Sequence, residues 1–192
     1  MVIKIDRRNK YVVPTFTEYS SQHKIMSFRK LFFIFALSLF SVGIITSQTI
    51  SGTYAIQNTV TNKNLRPYDA GNQNGNRIVL YNHVEWKCMT WEFVHLKDNV
   101  YQLKNLFTSK TFQSKDTPAK QGSTLEQQPL ANTAVQQWEF IKGANNNYLI
   151  RLKGTELYIT ASSSQTNSDI VLQPEQKNAL QQWRLVAQNP DM

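Results

Sequence analysis

Three short segments decide the fold of this chain: TWEF at residues 90–93, QQWEF at residues 136–140 and QQWRL at residues 181–185. Their tryptophans are 47 and 45 residues apart, a spacing typical of an internal structural repeat. An apolar residue lies thirteen positions before each tryptophan, and a second lies thirteen positions further back. These anchors are Ile78, Leu125 and Ile170, and then Leu65, Phe112 and Leu157. The chain therefore contains three copies of one unit.

A fourth feature of the unit is the pattern Tyr-x-Ile/Leu, which begins at Tyr54, Tyr101 and Tyr148. It precedes the earlier anchor by eleven, eleven and nine residues, so this register predicts that the third copy has lost two residues from the turn between them. The three repeats are predicted to cover about residues 51–97, 98–144 and 145–188.

Each unit alternates short apolar runs with turns rich in Asn, Gly, Ser, Thr and Lys, which is typical of β-strands joined by tight connections. No segment has helical periodicity beyond about one turn. The sequence predicts an all-β fold of about twelve strands, four in each of three pseudo-symmetric repeats. Strands in this arrangement close a barrel that is capped by hairpins and has few free edges, which is the β-trefoil.

The repeat length, the segment GTYAIQNTVTNKNL at residues 52–65 and two complete Gln-x-Trp triplets resemble the ricin-B-type β-trefoil lectin domain family. The resemblance covers residues 51–188 and implies that residues 48–192 form one ricin-B-like domain. It also implies that the Gln-x-Trp residues are structural, with the tryptophans in the core and the glutamines bonded to backbone groups of the adjoining turn. The structural residues are Trp91, Trp138, Trp183, Gln136 and Gln181.

In the lectins that the chain resembles, each repeat holds one shallow sugar pocket built from three positions. An Asp accepts hydrogen bonds from two adjacent sugar hydroxyls, an aromatic ring carries the apolar face of the sugar, and an Asn precedes Gln-x-Trp. The Asp position follows the earlier anchor and holds Arg66, Gln113 and Tyr158. The aromatic position holds Tyr81, Gln128 and Gln173. The Asn position holds Cys88, Val135 and Leu180. The sugar chemistry of the family therefore does not transfer directly to this chain.

The first repeat keeps the best remaining set of candidate sugar-binding residues. Asp69 is expected to supply the missing carboxylate, Tyr81 or Trp86 the flat platform, and Asn82 or His83 a polar donor. The candidate site consists of Arg66, Asp69, Tyr81, Asn82, His83 and Trp86.

A structural explanation of the same residues competes with this one. In it, the rings of Tyr68 and Trp86 pack beneath the turn, and Arg66 forms a surface ion pair with Asp69.

Charge and composition argue against several other functions. The formal net charge is +8, but much of the excess precedes residue 48, and the remaining basic residues are scattered. A nucleic-acid-binding protein would be expected to carry a basic stripe. Cys88 is the single cysteine, which excludes an intrachain disulfide and a zinc-finger pattern. We therefore expect no nucleic-acid partner, no metal, no cofactor and no enzymatic activity.

The N-terminus resembles an export signal. Arg29 and Lys30 precede an apolar run at residues 31–45, which small polar residues follow. The run is shorter than the roughly 20 apolar residues of a membrane span, so cleavage is favoured over a retained anchor. Residues 1–47 are predicted to be a leader and residues 26–47 its signal peptide, which places the mature protein outside the cytoplasm without a membrane anchor.

The sequence thus predicts a secreted, non-catalytic carbohydrate-binding module with degenerate sugar sites and weak glycan binding. The alternative is a β-trefoil that binds proteins or inhibits proteases and binds no sugar.

Overall fold

The computed structural model describes residues 49–191, so the predicted leader at residues 1–47 lies outside the described part of the chain. This part forms twelve β-strands and five short 3₁₀ helices, in agreement with the predicted all-β fold. Among these residues, no helix is long and apolar enough to cross a membrane.

Each repeat contributes four strands. The strands are β1 (Thr53–Asn58), β2 (Lys63–Pro67), β3 (Ile78–Asn82), β4 (Trp91–Lys97), β5 (Val100–Asn105), β6 (Thr111–Ser114), β7 (Leu125–Gln128), β8 (Trp138–Lys142), β9 (Tyr148–Leu152), β10 (Tyr158–Ala161), β11 (Ile170–Gln173) and β12 (Trp183–Ala187). The 3₁₀ helices are Tyr68–Ala70, Lys87–Met89, Ala134–Gln136, Ala144–Asn146 and Ala179–Gln181.

Six of the strands close a barrel by antiparallel pairing. Strand β1 pairs with β12 and β4, β5 pairs with β4 and β8, and β9 pairs with β8 and β12. The first and last strands of the three repeats therefore alternate around the barrel. In the closed barrel, each strand pairs with a neighbour on both edges, which removes the free edges that an open sheet would leave.

The other six strands form three hairpins, β2–β3, β6–β7 and β10–β11. Bridges between Arg77 and Glu126, Val79 and Asp169, and Thr124 and Val171 join each hairpin to the next. The hairpins thus meet around the pseudo-threefold axis and cap one end of the barrel, which completes the β-trefoil.

The side chains of the hairpins follow the period-2 alternation of their sequences. In β7 (LEQQ) and in β11 (IVLQ), the first and third residues are buried and the second and fourth are partly exposed. The three tryptophans are fully buried, and Phe112 lies between Trp91 and Trp138 with ring centroids 5.0 and 5.1 Å away. Large aromatic rings in close contact fill the core of this domain, which has no disulfide because its one cysteine is free.

The tryptophan hydrogen bonds correct the predicted register of the third repeat. Trp91 donates its indole N–H to the carbonyl oxygen of Leu65, but Trp183 donates to the carbonyl oxygen of Ile159 rather than to Leu157. Ile159 also pairs with Leu172 as Leu65 pairs with Leu80. The third copy is therefore shorter by two residues in the turn between β10 and β11, and not between β9 and β10.

This correction moves the Asp-equivalent position of the third repeat from Tyr158 to Thr160. Thr160 follows Ile159 as Arg66 follows Leu65. Its hydroxyl accepts a hydrogen bond from the side chain of Gln181, and Gln113 accepts the equivalent bond from Gln136 in the second repeat.

Candidate functional site

The three positions of the sugar pocket come together in the first repeat. Arg66 lies on β2, Tyr81 lies on β3, and Cys88 lies in the 3₁₀ helix that leads into β4. The guanidinium carbon of Arg66 is 3.5 Å from the centroid of the Tyr81 ring, and the Cys88 thiol lies beside the same guanidinium. A cation over an aromatic face is stabilised by the ring quadrupole, so Arg66 covers one face of the predicted platform.

Arg66 is deeply buried for a charged residue, with 6% of its surface exposed. Its Nε is buried without a hydrogen-bond partner, and none of the ion pairs formed within residues 49–191 involves Arg66. The ion pair with Asp69 that the structural explanation predicted is therefore absent from the described residues. Arg66 instead stacks on Tyr81.

The environment of Cys88 opposes ionisation of its thiol. Burial raises the pKa of Cys88 above the usual range of a thiol, and the nearby charge of Arg66 lowers it by a smaller amount. Cys88 therefore stays a neutral thiol near neutral pH and gives the Arg66 cation no compensating charge.

The structure corrects two further parts of the structural explanation. Tyr68 and Trp86 do not pack beneath the turn, because 39% and 37% of their surfaces are exposed. Asp69 is also exposed and lies in the 3₁₀ helix that follows β2, with a left-handed φ of 51°. A second stacked pair forms nearby, in which the guanidinium carbon of Arg77 is 4.6 Å from the centroid of the Tyr68 ring.

Trp86 and Cys88 line a pocket of about 310 Å³ whose walls are almost entirely apolar. Its other lining residues are Ala70, Lys87 and Phe107. Phe107 belongs to the second repeat, in the turn after β5, and 54% of its surface is exposed. Sequence reasoning within one repeat missed Phe107, because this residue reaches the pocket from the next repeat.

His83 and Asn82 make contacts outside the pocket. Asn82 accepts a hydrogen bond from the Thr166 hydroxyl of the third repeat. Nδ1 of His83 lies 2.8 Å from the side-chain nitrogen of Asn64. Both candidate donors are thus held in place by neighbouring polar side chains.

A chain of hydrogen bonds assigns the tautomer of His83. Arg184, which can only donate, bonds to the Gln57 side-chain oxygen, and the Gln57 amide nitrogen donates to the Asn64 side-chain oxygen. Asn64 must then donate to Nδ1 of His83, so a neutral His83 carries its proton on Nε2. The Nε2–H of the exposed imidazole is therefore a donor available to a ligand.

The Asp-equivalent and platform positions of the other two repeats are polar and lack a ring. In the second repeat, Gln113 bonds to Gln136 and Gln128 bonds to Glu126. In the third repeat, Gln173 has a buried side-chain oxygen with no hydrogen-bond partner among the described residues. Neither set offers a flat apolar surface.

The two Gln-x-Trp glutamines fix the turn beside each of these positions. Gln136 accepts from the backbone N–H of Ala131 and donates to the carbonyl oxygen of Pro129. Gln181 makes the same two contacts in the third repeat, with Gln176 and Pro174. Met89 takes this position in the first repeat and is fully buried. The first repeat thus combines an arginine and a methionine where the others combine two polar, hydrogen-bonded side chains.

The site contains no cluster of metal-ligating side chains. Across residues 49–191, no group of three or more His, Cys, Asp or Glu side chains is placed to hold a metal ion.

A family model described as ricin-type beta-trefoil lectin domain-like matches residues 87–173. No curated protein matches the chain. Among solved structures, the designed threefold-symmetric protein ThreeFoil has a TM-score of 0.68 and 20% identity, over 70% of this chain and 98% of its own. An exo-β-1,3-galactanase from Clostridium thermocellum has a TM-score of 0.66 and 20% identity, over 72% of this chain and 30% of its own.

A ricin B-like lectin from Macrolepiota procera, solved in complex with lactose, also has a similar fold. Its TM-score is 0.62 at 18% identity, over 73% of this chain and 99% of its own. Identities this low show a common fold and leave the ligand of the chain open. Residues 49–191 are therefore a β-trefoil, and residues 87–173 are similar to the family described as ricin-type beta-trefoil lectin domain-like.

Proposed function

We propose that the protein is an exported, non-catalytic carbohydrate-binding module that holds a glycan at its first repeat. The observation that carries the proposal is the difference between three equivalent positions, which hold Tyr81, Gln128 and Gln173. Only an aromatic ring offers a flat apolar face to the C–H side of a sugar. The first repeat is therefore the best remaining site, and the second and third sites are degenerate.

The surroundings of Tyr81 supply the other parts of such a site. Trp86 is exposed and follows Tyr81 by five residues, so a second ring is available where Arg66 covers one face of the first. The Nε2–H of His83 and the exposed amide of Asn82 are donors for sugar hydroxyls. Aromatic rings with a few polar groups around them are the usual composition of a small-ligand site.

Binding at one shallow site should be weak. A dissociation constant near one millimolar corresponds to only about −4 kcal/mol. Two degenerate repeats add no avidity, because simultaneous engagement requires more than one competent site. We therefore expect weak, monovalent glycan binding.

The proposal includes no catalytic step. A cysteine nucleophile needs a lowered pKa, whereas burial raises the pKa of Cys88, the thiol of this site. Asp69 is an exposed carboxylate in a turn, and the proposed site places no second acid opposite it.

Export is proposed from the predicted leader at residues 1–47. Its order of basic, apolar and small polar residues matches a cleavable signal peptide. Cleavage would release residues 48–192 as the mature β-trefoil.

A second candidate function is protein binding, and the pocket beside Trp86 favours it. Trp86 and Phe107 are both exposed and line the same apolar pocket. Exposed aromatic residues in a continuous apolar surface are typical of interaction sites. A protein partner at this pocket is the alternative to a glycan at Tyr81.

A glycan array probed with the purified protein, run beside a pull-down from secreted extract, separates the two functions. Glycan binding without protein capture supports the carbohydrate-binding module. Specific protein capture with an empty array would replace it with the protein-binding alternative.

A further inference from the structure

The unusual feature of the first-repeat site is a buried positive charge without a negative partner. Arg66 is 6% exposed, and no carboxylate within residues 49–191 forms an ion pair with it. Its Nε is buried and makes no hydrogen bond. Burying an ion without a counter-ion or hydrogen-bond acceptor is costly, so buried charges are normally paired.

The groups around Arg66 only partly offset this cost. The Tyr81 ring stabilises the cation through its π-face, and the Cys88 thiol beside it is neutral because burial raises its pKa. Neither group carries a full negative charge. Arg66 therefore has no partner of opposite charge among residues 49–191.

The charge at this position is also opposite to that of the lectins that the chain resembles. Their Asp accepts hydrogen bonds from sugar hydroxyls, whereas a guanidinium is always protonated and can only donate. A ligand that complements Arg66 must bring its own acceptor. Among acceptors found on sugars, a carboxylate matches the planar fork of a guanidinium and forms two charge-assisted hydrogen bonds with it.

We propose that the first-repeat site recognises a carboxylated glycan, such as a uronic acid, through Arg66. This inference rests on the proposed carbohydrate-binding function and names the ligand class. The carboxylate contacts the guanidinium edge while the Tyr81 ring holds the guanidinium plane in place. The sugar ring packs at the Tyr81 platform and against Trp86, which remains exposed.

Nearby charges fit this assignment. Lys87 lines the adjoining pocket and adds a second positive charge at its rim. Asp69 and Glu85, the acidic residues closest to Arg66 and Trp86 in sequence, are exposed and form no ion pair within the described residues. Solvent and salt screen these exposed charges more strongly than the buried charge of Arg66.

Matched ligands test the proposal on the unaltered protein. A panel of galacturonic, glucuronic and mannuronic acid oligosaccharides is titrated as free acids and as methyl esters, with neutral oligosaccharides beside them. At least one free acid should bind roughly tenfold more tightly than its ester, because only the free acid forms charge-assisted hydrogen bonds. Added salt should weaken binding of the acid more than binding of the ester.

Two variants assign the preference to Arg66. Arg66→Met should abolish the difference between acid and ester, while Arg77→Met should preserve it. Arg77 is the matched control, since it also stacks on a tyrosine but is exposed and paired with Asp169. If Arg66→Met fails to fold in a thermal melt, the acid–ester comparison on the parent protein still decides whether the ligand is a carboxylated glycan.

The other possible results distinguish failure of the carboxylate assignment from failure of the carbohydrate-binding function. Equal binding of acids and esters, or binding of the neutral oligosaccharides alone, would overturn the carboxylate assignment while the carbohydrate-binding function stands. An array with no glycan bound at all would overturn both. A preference for the acid that survives Arg66→Met would remove Arg66 from the site.

Discussion

Trp183 donates its indole N–H to the carbonyl oxygen of Ile159 at 3.0 Å, and Trp91 makes the equivalent bond to Leu65 at 3.2 Å. Trp138 occupies the third equivalent position and is also fully buried, yet its Nε1 has no hydrogen-bond partner among the described residues. A buried N–H without a partner retains a desolvation cost of about 1–3 kcal/mol. Three tryptophans that look alike in the sequence therefore differ in their contribution to stability.

Replacing each tryptophan with phenylalanine should reveal this difference. Trp183→Phe removes ring area and leaves the Ile159 carbonyl without its donor, whereas Trp138→Phe removes similar area together with an unpaired N–H. The free energy of unfolding should fall by about 1–3 kcal/mol more for Trp183→Phe than for Trp138→Phe. Urea denaturation of the two variants, compared at equal m-values, measures both free energies of unfolding.

Trp91→Phe is the control for this comparison, since its bond to Leu65 predicts a loss close to that of Trp183→Phe. Equal losses in all three variants would contradict the hydrogen-bond explanation. Trp138→Ala should still be severe, at about 3–5 kcal/mol, because it leaves a large cavity in the core. An unchanged melting temperature for Trp138→Ala would contradict its burial.

The sequence predicted the trefoil because tryptophan spacing and strand alternation repeat three times over. It placed the third repeat two residues out of register for a physical reason. Leu157 and Ile159 are two positions apart, so they point to the same side of an extended strand, and the apolar pattern fits either alignment. The hydrogen bond from Trp183 distinguishes them, and that bond has no signature in the sequence.

The candidate site was less predictable than the fold. Counting along the repeat identified Arg66, Tyr81 and Cys88 as positions of one pocket, and these three side chains lie together in the first repeat. The stacking of Arg66 on Tyr81 could not be predicted from the sequence, because a long flexible side chain has many rotamers. An ion pair with Asp69 was equally compatible with the sequence. Phe107 was missed because it reaches the pocket from another repeat.

The second prediction concerns Met89 in the first repeat. Its counterpart Gln136 is bonded to Gln113, but in the first repeat the position of Gln113 holds Arg66. Met89→Gln would direct an amide donor toward a guanidinium that also only donates. This variant should lose about 1–3 kcal/mol of stability, because the amide N–H that Gln136 donates to Gln113 has no acceptor in the first repeat.

The double variant Arg66→Gln/Met89→Gln recreates the pair formed by Gln113 and Gln136. Its loss of stability should be smaller than the sum of the two single losses by about 1 kcal/mol, which a double-mutant cycle from urea denaturation measures. Additive losses would show that the two positions do not interact.

The Cys88 thiol predicts a third measurable property. Its pKa is raised by burial, so the thiolate that reacts with iodoacetamide forms at higher pH in the folded protein than in the unfolded chain. The midpoint of the rate–pH profile should therefore lie higher when the protein is folded. Cys88 is the single cysteine of the chain, so no other thiol contributes to the signal.

The raised pKa of Cys88 also makes the stability of the folded protein depend on pH. The folded state keeps the Cys88 proton to higher pH than the unfolded state, so this contribution is complete below the ordinary thiol pKa and is lost as pH rises through the raised value. Arg66→Met should raise the midpoint of the rate–pH profile further, because Arg66 lowers the Cys88 pKa. A lower midpoint in Arg66→Met would contradict the proximity of Arg66 and Cys88.

Export predicts where the mature protein begins. The small residues Gly43 and Ser47 mark the favoured cleavage sites, so N-terminal sequencing of the secreted protein should start at or between residues 44 and 48. An intact leader on a membrane-bound protein would identify residues 31–45 as a signal anchor instead.

Tyr81 gives the prediction that bears most directly on function. Tyr81→Ala removes the ring at the platform position and the surface on which Arg66 stacks, so glycan binding should be lost and stability should fall by about 0.5–2 kcal/mol. Tyr68→Ala is the matched control, since that ring also carries a stacked arginine, and its glycan affinity should match the parent. Gln128→Ala and Gln173→Ala should also bind like the parent, because those positions have no ring. Titration calorimetry with thermal melts on all four variants measures both properties. Parent-like binding by folded Tyr81→Ala, or loss of binding on changing Gln128 or Gln173, would move the glycan away from the first repeat.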